Sequence, residues 1–177
     1  MTPSPGAASS ADAGGASLER LAALTGSLSG SVVGVGVDVV DPVRFEQVLA
    51  RRPALEERVF TPAERELAVG AQRLSRLSTR FAAKEAAWKA LGVGMGAVGL
   101  RDVEVVGGGD EAPSLSLHGR AAALASRSGV RRWHLSLTHT ERTAIAFVVA
   151  EGAPGASSPT ADRPSGPHPV RLDDPLD

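Results

Sequence analysis

Arg80-Phe81-Ala82-Ala83-Lys84-Glu85-Ala86-Ala87-Trp88-Lys89-Ala90-Leu91-Gly92 carries more information about the fold than any other stretch of the chain. Helix formers begin near Arg73 and stop at Gly92, a residue that readily takes the left-handed conformation closing a helix. On a helical wheel Phe81, Lys84, Glu85, Trp88 and Lys89 fall on one arc, and Ala82, Ala83, Ala86, Ala87 and Ala90 on the other. The smooth alanine face predicts a neighbouring element in close approach. The opposite arc, which mixes cations, a carboxylate and aromatic rings, predicts the wall of a cleft. By itself the Glu85–Lys89 spacing is also that of an exposed i,i+4 ion pair worth about 0.3 kcal/mol, with Lys84 merely solvated.

Upstream, Val32-Val33-Gly34-Val35-Gly36-Val37-Asp38-Val39-Val40 reads as a strand with Val33, Val35, Val37 and Val39 on one face. On the other face Gly34 and Gly36 precede Asp38 and are expected to leave open space beside its carboxylate. Asp41-Pro42 is an N-cap followed by proline at the first helical position, and Phe45, Val48 and Leu49 give that helix its apolar stripe, with Arg44 facing outward. Thr61-Pro62-Ala63-Glu64 is a capping box that starts another helix, which Gly70 interrupts.

Downstream, residues 101–106 and 114–117 read as a hairpin across Gly107-Gly108-Gly109, followed by an alanine-rich helix from Arg120 to Arg127 and a second hairpin over residues 133–150. The glycines between Leu91 and Gly99 follow a helix, whereas a P-loop or dinucleotide fingerprint must precede one, so both motifs are rejected. His134 and His139 fall on opposite faces of their strand, and two acids with one such histidine make no zinc signature. The order strand, helices, hairpin, helix, hairpin predicts an α+β domain with a mainly antiparallel sheet packed with helices.

Tails of biased composition flank this periodic middle. Residues 1–31 are rich in Ala, Ser and Gly, with only a weak helical spacing at Leu18, Leu21 and Leu24. Residues 152–177 crowd six prolines. Both read as flexible, leaving one folded domain at residues 32–151. Aromatics supply only 3% of the chain, so the core must be aliphatic. A net charge of −1 gives no bulk field for nucleic acid or an anionic membrane, so any anionic ligand must be bound locally. Without cysteine there is no disulfide framework or thiolate chemistry, and no apolar run reaches membrane-spanning length; with no secretory signal pattern, a cytoplasmic location is expected.

Four segments in order resemble the holo-(acyl-carrier-protein) synthase family of 4'-phosphopantetheinyl transferases. They are residues 34–45, Phe60-Thr61-Pro62-Ala63-Glu64, residues 80–92, and His134-Leu135-Ser136-Leu137-Thr138-His139-Thr140. The resemblance implies the phosphopantetheinyl transferase fold and transfer of phosphopantetheine from coenzyme A to a serine of an apo acyl carrier protein. It implies Asp38 and Glu85 as ligands of Mg²⁺, and Asp38, Glu85 and Lys89 as the catalytic set. Arg80, Lys84, His139 and Gly92 would bind coenzyme A, and Arg44 would dock the acidic helix of the carrier. Glu85 or His139 would accept the serine proton, with Glu85 preferred. A homotrimer with active sites between subunits is implied in the same way. The two tails and the large ring of Trp88 depart from the family pattern. Three other readings compete: a transferase dedicated to polyketide or fatty-acid synthase carrier domains, a non-catalytic carrier-binding module, and a nucleotide-binding regulator. The second should lack a metal carboxylate or the phosphate lysine, and Asp38, Glu85 and Lys89 are all present.

Overall fold

The computed structural model describes residues 30–155 apart from positions 95, 109 and 110. The weak helical pattern at Leu18–Leu28 and most of both tails therefore lie outside the described residues. Strand β1 (Val32–Val40) leads through Asp41 into helix α1 (Pro42–Arg51), where Asp41 Oδ1 accepts from the Val43 and Arg44 amides at 2.9 and 3.1 Å. Such a cap satisfies two of the four orphan donors of a helix start.

Helix α2 (Pro53–Val59) was not expected from the sequence; Pro53 at its first position and Glu56 in its first turn support it, but Arg52 provides no side-chain cap. Thr61 caps α3 (Pro62–Leu67) with both halves of the capping box formed. A single 3₁₀ turn at Gly70–Gln72 then leads into the long helix α4 (Arg73–Leu91), which ends on Gly92 at φ 72°. The β2 (Val103–Gly108) and β3 (Glu111–Leu117) hairpin, helix α5 (Gly119–Arg127) and strands β4 (Val130–His139) and β5 (Ala144–Gly152) complete the domain.

The main sheet has the order β1-β5-β4 and is antiparallel throughout, while β2 and β3 form a separate two-stranded sheet. Register places Asp38 opposite Ala146, which faces Leu137; two rows further, and so on the same face, Val40, Ala144 and His139 align. Helix α4 covers this face. Its alanines 82, 83, 86, 87 and 90 are at most 4% exposed, and Ala144, Ala146, Val148 and Ala150 of β5 are fully buried. Small residues on both sides let helix and sheet approach closely and leave Val, Leu and Phe to fill the margins. Phe45 stacks on Phe81 with ring centroids 4.9 Å apart, docking α1 against α4.

Three expectations need correction. The space beside Gly34 and Gly36 is not open, because the backbone of α4 fills it. Val33 does not share the fate of the other valines: a register irregularity between Val32 and Gly34 leaves it buried, whereas Val35, Val37 and Val39 are 45–61% exposed. The mixed arc of α4 is not one cleft wall either. Lys84 and Trp88 are buried in the fold, and Glu85 and Lys89 face the β1 side.

Candidate active site

Strand β1 and helix α4 bring Asp38 together with two residues far from it in sequence, Glu85 and Lys89. Lys89 Nζ donates to Asp38 Oδ1 at 2.7 Å and to the Val37 carbonyl at 2.9 Å. Glu85 lies one helical turn before Lys89 and is close enough to Asp38 for the two carboxylates to interact. Burial and the charge of Asp38 push the Glu85 carboxyl up to about 7, with Lys89 pulling the other way. Burial also raises Asp38, opposed by the hydrogen bond and charge of Lys89. Two partly desolvated carboxylates thus share a single ammonium, an acidic excess suited to a divalent cation or to a proton.

Helix α4 presents a second polar group on a different side. Arg80 and Glu85 are five residues apart, about 140° around the helix. The Arg80 guanidinium is 5% exposed, donates through Nη2 to the Gly107 carbonyl at 2.9 Å, and keeps its buried Nε without a hydrogen-bond partner. It lines a cleft of about 360 Å³ with Arg76, Thr79, Gly108, Leu137 and His139. Desolvation lowers the Arg80 pKa from its ordinary value without threatening its charge. An unspent buried donor, with Arg76 and His139 nearby, fits an anionic group such as a phosphate. Arg76 was not singled out from the sequence, although its i,i+4 spacing from Arg80 is a usable signal.

Within one chain the two groups do not converge. Asp38 belongs to one edge strand and His139 to the other, with β5 between them and their partners Ala146 and Ala144 two positions apart, so their backbones are about 12 Å apart.

The remaining expected positions divide. Arg44 is exposed on α1. Gly92 closes α4, donating its N–H to the Lys89 carbonyl at 3.0 Å, so it helps fix the end of the turn carrying Lys89. Lys84 lies apart from both groups, with its side chain fully buried in an ion pair inside the fold. It lies 2.8 Å from Glu64 Oε2, donates to the Leu100 carbonyl at 3.1 Å, and also bonds the Val103 carbonyl. Glu64 in turn accepts from the Val105 and Thr61 amides, both at 2.9 Å. This pair ties α3, α4 and β2 together.

The 4'-phosphopantetheinyl transferase superfamily model matches residues 34–148, which span every element from β1 to β5, and the chain belongs to that family. Within the superfamily its relatives are holo-[acyl-carrier-protein] synthases. The protein of that name from Frankia casuarinae is 53% identical over 121 residues, covering 68% of this chain and 98% of the relative. That from Anaeromyxobacter dehalogenans is 50% identical over 127 residues, or 69% and 98%. Among solved structures, the Neisseria meningitidis synthase superposes with TM-score 0.61 at 33% identity, covering 68% of this chain and 99% of that one. The Bacillus anthracis synthase in complex with coenzyme A (3',5'-ADP) gives 0.57 at 32%, covering 69% and 98%.

Proposed function

We propose that this chain transfers the 4'-phosphopantetheine group of coenzyme A to a serine hydroxyl of an apo acyl carrier protein, releasing adenosine 3',5'-bisphosphate. Supporting the reading are the superfamily match, the relatives' shared name, and coenzyme A in the Bacillus anthracis neighbour. The observation that carries it is the pairing of Glu85, with its carboxyl near 7, beside Asp38 and Lys89.

In this reading the serine oxygen attacks the phosphorus bearing pantetheine, a P–O bond forms, and the bond to the adenosine-side phosphate breaks. The proton leaves the hydroxyl for the Glu85 carboxylate, which stands beside Asp38 and Lys89. Lys89 would hold phosphate oxygens and offset charge on the leaving group. Asp38 and Glu85 would hold Mg²⁺, which takes one or two carboxylates with the remaining positions left to phosphate and water. The metal would supply charge neutralisation at the pyrophosphate. Arg80 and His139 would bind the nucleotide end of coenzyme A, and exposed Arg44 would meet the acidic surface of the carrier.

The two polar groups on different edges of one chain support a homotrimer in which one subunit's Asp38, Glu85 and Lys89 meet another's Arg80 and His139. The outer sheet face supports it as well, since Val35, Val37, Val39 and Phe147 leave exposed apolar side chains on neighbouring strands, where a second subunit could pack. No helix among the described residues is long and apolar enough to cross a membrane, and the reading places the enzyme in the cytoplasm.

Intact mass spectrometry of an apo carrier incubated with the chain, coenzyme A and Mg²⁺ tests the function. A gain of one phosphopantetheine that disappears with Asp38→Ala is expected. No gain on any of several folded carriers would sink it.

A further inference from the structure

Gly34 and Gly36 alternate with the exposed valines of β1 and face α4. A Cβ built on Gly36 would sit 1.8 Å from the Ala86 carbonyl oxygen and 2.8 Å from its carbon. On Gly34 it would sit 1.9 Å from the Ala90 oxygen. Neither glycine has the positive φ that would explain its presence by backbone conformation, so close approach is the reason for both. The obstructing atoms are backbone, which no rotamer change can move aside.

Ala86 and Ala90 each follow a functional residue of α4: Glu85 precedes Ala86, and Lys89 precedes Ala90. On the strand side, Asp38 follows Gly36 by two positions and so faces the same helix. We propose that Gly34 and Gly36 are positioning residues for the reaction, their missing side chains setting the distance at which Asp38 meets Glu85 and Lys89. Ordinary van der Waals contact begins at 3.4 Å, so an alanine at either site must push helix from strand by about 1.5 Å. A shift of that size would strain the 2.7 Å contact between Lys89 and Asp38 and carry the shorter Glu85 side chain away from Asp38. A misplacement of about 1 Å in a catalytic constellation can cost roughly 100-fold in rate.

The inference deepens the transferase reading and rests on it for its catalytic meaning, but the geometry can be tested apart from turnover. Wild type, Gly36→Ala, Gly34→Ala and Val59→Ala would be compared; Val59 is 1% exposed on α2 and serves as a core destabilisation outside the β1–α4 contact itself. Two readouts are used: binding of Mn²⁺ in the presence of coenzyme A by water-proton relaxation, and kcat and KM for carrier modification. Both glycine variants should bind Mn²⁺ at least 10-fold more weakly and lose at least 10-fold in kcat, with carrier KM within about twofold. Val59→Ala should change neither beyond its loss of folded protein.

If Gly36→Ala fails to fold, Gly34→Ala decides, because the register irregularity beside Val32 gives that end of β1 room to yield. Folded glycine variants with wild-type Mn²⁺ binding and kcat would overturn the proposal. A wild-type chain that binds Mn²⁺ but modifies no carrier would instead overturn the transferase reading, with the positioning role then judged on Mn²⁺ binding alone.

Discussion

Lys89 and Asp38, 51 positions apart, are joined by a 2.7 Å ion pair between the last turn of α4 and the end of β1. The lysine side chain is half exposed and the aspartate side chain 15% exposed, so the pair contributes little to stability. Its value is in aiming an ammonium at the place where two carboxylates meet.

Lys89→Ala should therefore separate function from folding. It should lower kcat for carrier modification by about 100-fold, the scale expected for losing one preorganised charge, while stability changes by less than about 1 kcal/mol. Lys89→Arg should recover only part of the rate, since a planar fork does not replace a compact ammonium. Rate measurements beside thermal melts check this; a variant that melts early and keeps its rate would contradict it.

Glu85 supplies a pH signature. Its folded pKa of about 7 lies above the ordinary carboxylate value of 4.5, so the folded state holds the proton more tightly than the unfolded chain does. Ionisation then costs folding free energy: none below pH 4.5, a growing amount as pH rises to 7, and a constant amount above. In metal-free protein Glu85→Gln should raise the melting temperature by about 3–8 °C at pH 8, a gain of roughly 1–2 kcal/mol, and have little effect at pH 4. The same substitution should reduce kcat for carrier modification by about 1000-fold. Paired melts at the two pH values would settle the sign.

The Lys84–Glu64 pair yields the opposite pattern. Both side chains are fully buried, and burial lowers the Lys84 pKa while Glu64 raises it. Removing one partner leaves the other charge uncompensated, so Lys84→Met should cost about 3–5 kcal/mol. Replacing both by apolar residues should recover part of that loss, although the Thr61 and Val105 amides would still lack their acceptor. A coenzyme A contact would instead raise KM and leave the melting temperature alone, so denaturant titration with steady-state kinetics discriminates the two roles.

Local signals were legible where the chemistry is local. Asp41-Pro42 and the Thr61–Glu64 capping box marked helix starts because caps are short-range, and Gly92 marked the end of α4 for the same reason. Helix α2 escaped notice because its preceding residue, Arg52, is not a side-chain cap. The second role of Glu64 was invisible because its partner Lys84 is 20 residues away and a helical wheel gives an angle without naming the neighbour there. The glycines of β1 were seen as space, when what matters is the helix that occupies it. The family segments pointed to Asp38, Glu85 and Lys89, which the fold brings together, and to Lys84, which it buries.

The separation of Asp38 from His139 by the central strand makes assembly itself testable. If each working site draws Asp38, Glu85 and Lys89 from one subunit and Arg80 and His139 from another, Asp38→Ala and His139→Ala chains should each be nearly inactive alone. Mixed in equal amounts and allowed to exchange subunits, they should regain activity, because roughly a quarter of the sites would then combine two intact halves. A charge on the bare sheet face, Val37→Glu, should hold the chain as a monomer and abolish that recovery, since Val37 is 45% exposed beside Phe147 at 43%. Sedimentation velocity would report the monomer and carrier mass shift the recovered activity. Complementation that fails despite exchange, or a fully active Val37→Glu monomer, would place both halves of the site within one chain.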